Sequence, residues 1–142
     1  MPDLLICEGR YGIAPGEDSE SAKREFTDAV RDAASRDPYL QDHPPVIEWW
    51  GGQFMPAATA LDAGIVRTAS EAIRSVSGHP PRVEAMTYGA DMRLLVNQGG
   101  IPTVLFGPGD VRRAHRPDEL VPIEDLLTVA RVIALLILRF RG

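Results

Sequence analysis

Apolar positions are arranged along this chain in two ways. At Ala22, Phe26, Val30 and Ala33, and again at Ile65, Ala69, Ile73 and Val76, they recur every three or four residues. That is the stripe of an amphipathic helix. In DLLICEG, VIEWW, RVEAM and IPTVLF they are bunched into short runs bounded by glycine or proline. Such runs predict strands, and IPTVLF reads as one buried on both faces. The first helix is expected to begin at Asp18 or Ser19, with Glu17 and Glu20 beside its positive end, and to stop at Pro38. The second covers Leu61 to Val76 and ends at Gly78. YGADMRLLVNQGG is a tight turn running into a short helix. Leu126 to Phe140 is the longest apolar segment and predicts a core helix with Pro122 in its first turn.

From about residue 55 onward the order is helix, strand, helix, strand, helix. That alternation predicts an α/β layer with a mostly parallel sheet. The first part, one helix between two short strands, is too small to be stable alone and needs something to extend its sheet.

The chain has 142 residues, 15 Lys and Arg against 20 Asp and Glu, and a net charge of −5. An acidic balance argues against nucleic acid or an anionic membrane as partner. The apolar segment near the end contains Arg131 and is too short to span a bilayer. The sequence MPDLLICEGRYG lacks the basic start of a secretory signal. Cys7 is the single cysteine, so no internal disulfide forms, and a cytoplasmic location is expected. Its apolar surroundings predict a buried, inert thiol.

Two loops carry the polar chemistry. TYGADMR follows RVEAM, and GPGDVRRAHRPDE follows IPTVLF. In an open α/β sheet, ligands bind beyond the carboxyl ends of the strands, where both loops would open. Glycines there let backbone approach a ligand. Arg93 either grips a carboxylate in bidentate fashion or forms a surface ion pair. His115 either ligates a metal, shuttles a proton, or is a solvated loop histidine. Asp118 and Glu119 either orient its second ring nitrogen or cap the last helix.

The ordered set Gly89-Ala90-Asp91-Met92-Arg93, IPTVLF, Gly107-Pro108-Gly109-Asp110 and Ala114-His115-Arg116-Pro117-Asp118-Glu119 resembles the C-terminal part of a zinc-dependent family. It is the amidohydrolase and peptidase family that includes acetylornithine deacetylase, succinyl-diaminopimelate desuccinylase, aminoacylase and carboxypeptidase G. The resemblance implies an α/β fold in two parts. Residues 1–54 would be half of an α+β lid, or dimerisation, domain with an antiparallel sheet. Residues 55–142 would be the C-terminal segment of a zinc-peptidase-like catalytic domain. It implies hydrolysis of an N-acyl amino acid, His115 as a ligand of zinc (alternatively cobalt or manganese), and Arg93 on the substrate carboxylate. Gly89 and Gly107 would line the pocket, with Asp118 and Glu119 behind the histidine. The family's other ligands, a His-x-Asp pair, a bridging aspartate and a Glu-Glu general base, have no counterpart: this sequence contains neither His-x-Asp nor Glu-Glu. The expectation is a chain inactive alone, present as a homodimer or with a missing N-terminal part. The alternative is a non-catalytic dimerisation or binding module.

Overall fold

Helix starts follow local capping chemistry. In the computed structural model, which describes residues 4–140, Asp18 caps α1 (Ser19–Ala34) by accepting the Ser21 N–H at 2.9 Å. That bond, followed by one from the Ser21 hydroxyl, holds the Asp18 carboxyl below its ordinary value. α1 stops at Ala34, short of Pro38. The proline instead occupies the first position of a one-turn helix, α2 (Pro38–Asp42), capped by Asp37, whose carboxylate accepts the N–H groups of Tyr39 and Leu40. Proline has no N–H to lose at that position, so it opens a helix as readily as it ends one. α1 buries Ala22 and Ala34. Its Phe26 stands 5.1 Å, centroid to centroid, from Tyr11 and 5.5 Å from Trp49 in an edge-on contact. These three rings tie α1 to the chain on either side of it and hold the first unit, which runs to Ala57.

The second unit begins at Ala58. It contains α3 (Gly64–Ser77), α4 (Met92–Asn97), a 3-10 turn at Val111–Arg113 and α5 (Ile123–Arg139). Gly78 closes α3 at φ +78°, a left-handed conformation that glycine adopts without penalty. α3 and α5 pack on each other. α3 buries Val66, Ala69 and Ala72. α5 contributes Val132, which at 1% exposure is the largest fully buried side chain among the described residues. Small residues on α3 let the two backbones come close. Arg139 donates to the Ser75 hydroxyl at 3.0 Å, joining the last turns of the two helices. A second tie spans 44 residues: the Thr59 hydroxyl donates to the Thr103 carbonyl at 2.6 Å and accepts the Thr103 N–H at 3.0 Å.

Several expectations are corrected. None of the four predicted strands is paired into a ladder; among the described residues the regular elements are helical. A strand's N–H and C=O groups need a neighbouring strand, and here none of these runs supplies one to another. At Thr103 a side chain makes both bonds that a neighbouring strand would otherwise make. Asp3, at the head of the first run, and Arg141 lie outside the described residues. IPTVLF is not buried on both faces: Ile101, Leu105 and Phe106 are exposed, while Thr103 and Val104 are half-buried. Cys7 is exposed, because no second layer covers its run. Leu126 to Arg139 is helical, with Pro122 as the extended cap before the first turn and not within it, but the segment is not enclosed: one face meets α3, while Leu126, Leu127, Ile133, Ile137 and Leu138 are exposed.

Candidate functional site

The loop after Phe106 is built from consecutive tight turns. Gly109 sits at φ +86°, a conformation that favours glycine, and a Cβ there would make a tight 3.3 Å contact with Val121 Cγ2. Asp110 caps the 3-10 turn through the Arg112 N–H at 3.0 Å and receives the Arg112 Nε on both carboxylate oxygens, at 2.9 and 3.0 Å. The arginine hydrogen bond is the main reason the Asp110 carboxyl is lowered to about 2, with the backbone bond next. The Arg112 guanidinium is raised in turn by the same carboxylate. The chain then turns again, with Ala114 N–H on the Val111 carbonyl and Glu119 N–H on the Arg116 carbonyl, both at 3.1 Å.

His115 lies at φ +62°, the one non-glycine residue in the left-handed region among those described. Its backbone N–H donates to Glu119 Oε2 at 3.0 Å. Glu119 therefore acts on the histidine's main chain, where the sequence left open its ring or a cap of the last helix, and α5 has no side-chain cap. Asp118 is exposed and makes no side-chain hydrogen bond among the described residues. His115 is itself exposed.

A hollow of about 240 Å³ opens beside this loop. Gly107, Asp110, Arg113, Glu119 and Val121 line it, together with Tyr88 from the turn that precedes α4. The two glycine-bearing turns thus share one hollow. Of the sequence-selected residues, Gly107 and Glu119 border it. Gly89, Arg93, His115 and Asp118 do not. Arg93 is the second residue of α4, half-buried, with its Nε shielded from solvent. Tyr88, Asp110 and Arg113 were not singled out from the sequence. The available signal was adjacency, since Tyr88 precedes Gly89, Asp110 follows Gly109 and Arg113 lies two residues before His115.

A catalytic zinc takes about three protein ligands and a water. Among the described residues no three His, Cys, Asp or Glu side chains converge to hold a metal ion. The residues present do not fit a complete metal centre, and no reaction step through a metal follows from them. No helix of the described residues is long and apolar enough to cross a membrane.

The sequence profile of peptidase family M20/M25/M40 matches residues 45–139, a stretch that holds both turns and the hollow between them. Over 84 residues the chain is 38% identical to an acetylornithine deacetylase of Myxococcus xanthus, covering 59% of this chain and 20% of that protein. Over 130 residues it is 30% identical to an N-formyl-4-amino-5-aminomethyl-2-methylpyrimidine deformylase of Bacillus subtilis, covering 84% of this chain and 30% of that protein. Over 101 residues it is 29% identical to a Pyrococcus abyssi protein provisionally named LysW-lysine/LysW-ornithine hydrolase, covering 70% of this chain and 30% of that one. No solved structure matches the chain. The chain belongs to peptidase family M20/M25/M40, the family its motifs resemble. It spans between 20% and 30% of the length of these three relatives.

Proposed function

We propose that this chain forms the C-terminal portion of a metal-dependent hydrolase that removes the acyl group from N-acyl amino acids, in the manner of an acetylornithine deacetylase. One observation carries the reading: the complete ordered motif set, Gly89 to Glu119, falls inside the stretch matched by the family profile. Two relatives support the reaction class, since by name one removes an acetyl group and the other a formyl group.

In this reading Arg93 holds the substrate carboxylate as a planar two-donor fork. Backbone at Gly107 lines the pocket, and His115 gives one imidazole to a zinc ion, or to cobalt or manganese in its place. The remaining ligands and the general base come from polypeptide outside the described residues. With the ligands this chain does not supply, such a site would hold a metal whose chemistry would be Lewis-acid activation of an amide and of water. The residues of this chain bind and orient the acyl amino acid. The setting is amino-acid metabolism in the cytoplasm, arginine biosynthesis foremost. The first unit serves dimerisation, so the working form is a homodimer or a complex with the missing part.

Two measurements test this. With zinc and N-acetylornithine, the purified 142 residues should release no ornithine; zinc-dependent release would overturn the claim that the chain is inactive alone. Titrating N-acetylornithine into the ¹⁵N-labelled chain should move the amides of Arg93 and Gly107. Silence of both at millimolar ligand would remove the substrate-binding reading. A non-catalytic dimerisation or binding module is favoured by a separate observation, the uncovered apolar face of α5. That alternative predicts a defined dimer by size-exclusion chromatography with no response to the acyl amino acid.

A further inference from the structure

Two features of His115 concern its backbone and not its ring: the left-handed φ of +62° and the bond from its N–H to Glu119 Oε2 at 3.0 Å. Histidine enters the left-handed region more readily than most residues, yet the conformation remains unfavourable without local support. Here the support comes from four residues on. The Glu119 carboxylate reaches back to the His115 amide, while the Glu119 N–H is held by the Arg116 carbonyl at 3.1 Å and the Arg116 N–H by the Arg113 carbonyl at 3.3 Å. Pro117 limits the turn between them by fixing its own φ and pushing Arg116 towards an extended conformation. An ionised acceptor makes the N–H bond stronger than a neutral one. Glu119 also lines the hollow shared by the two turns, so this bond sits at the rim of the candidate site.

We propose that Glu119 is a positioning residue: by capturing the His115 N–H it holds the histidine backbone left-handed and so sets the direction in which the imidazole leaves the loop. The functional value of this arrangement rests on the reading of His115 as a ligand; the arrangement itself does not. The resemblance implies Glu119 behind the imidazole, whereas the geometry routes its influence through the main chain.

The test uses the full ¹⁵N-labelled chain and reads His115 amide hydrogen exchange and the three-bond coupling that reports its φ. Glu119→Ala should speed His115 exchange roughly tenfold or more, the loss of one charge-assisted hydrogen bond, and shift the coupling out of the left-handed range. Glu119→Gln, which keeps a carbonyl acceptor at the same reach, should restore most of the protection. Unchanged exchange and coupling in Glu119→Ala would overturn the proposal. If Glu119→Ala loses the parent helical circular dichroism, Glu119→Asp carries the test, because its shorter arm cannot span the turn. Unchanged exchange there would be equally fatal. Titration with zinc chloride alone separates this proposal from the metal reading. If His115→Ala shows the same zinc-induced shifts as the parent, the ligand role falls while Glu119's hold on the backbone stands.

Discussion

Val132→Ala tests the central packing claim of the second unit. The valine is 1% exposed on α5, the helix that packs on α3, and α3's own buried residues are Val66, Ala69 and Ala72. Removing its two methyl groups loses transfer free energy of about 1.6 kcal/mol, at ~0.8 kcal/mol per buried carbon group. The void adds to this. About 50 Å³ left unfilled at ~24 cal/mol per Å³ costs a further ~1 kcal/mol, less whatever the neighbours close. The expected loss is therefore about 2–3 kcal/mol, a large share of what so small a core can supply. Ile137 is the internal control: it lies on the same helix and is larger, yet is 71% exposed. Ile137→Ala should cost under ~0.5 kcal/mol. Urea unfolding followed by circular dichroism at 222 nm gives both numbers. Equal losses at the two positions would refute the reasoning, for Ile137 would then be buried in solution. Repeating the melts over a hundredfold range of protein concentration would show whether a second copy buries it.

Three further outcomes are expected. The Asp110 carboxyl, normally at 3.8, should titrate at about 2 by ¹³C NMR. Since it is lowered, its pairing stabilises the loop fully above about pH 3.8 and is lost as pH falls towards 2; Arg112→Ala should return the midpoint towards the ordinary value. Thr59→Val removes the hydroxyl that both donates to and accepts from Thr103, stranding two half-buried backbone groups; a loss of about 2 kcal/mol is expected, with Thr59→Ser keeping most of the stability. At the left-handed His115, replacement by glycine should leave a protein more stable than replacement by alanine by about 1 kcal/mol in thermal melts, and the reverse order would mean that φ is not positive in solution.

How much could be read from the sequence depended on the range of the forces involved. α1, α3 and α5 were visible because a helix satisfies its own hydrogen bonds and records its buried face at local spacing. Even so, the stripe was displaced: Ala34, not Ala33, is buried on α1, and Val66 and Ala72 join Ala69 on α3. α2 escaped notice because proline was read as a stop, and only the Asp37 carboxylate reveals it as a start. The strand-like runs failed for a different reason. Val46–Trp50 and Ile101–Phe106 have the composition of strands, but pairing is a property of two segments at once, and composition records only one. At the candidate site the turns were legible because glycine marks them, and Gly109 adopts the positive φ that glycine favours. The link from Glu119 to a backbone amide was not, since a side chain's choice between ring and main chain leaves no trace in residue order.

The clasp between α3 and α5 has one more implication. The helices lie 45 residues apart in sequence, between Ser77 and Ile123, and both glycine-bearing turns belong to the intervening stretch. Their order is therefore inherited: an opening event that parts the helices frees Tyr88, Gly107 and Glu119 together, as one cooperative unit. Amides throughout residues 87–119 should accordingly share a common ceiling on exchange protection, set by the contact between the two helices that bracket them.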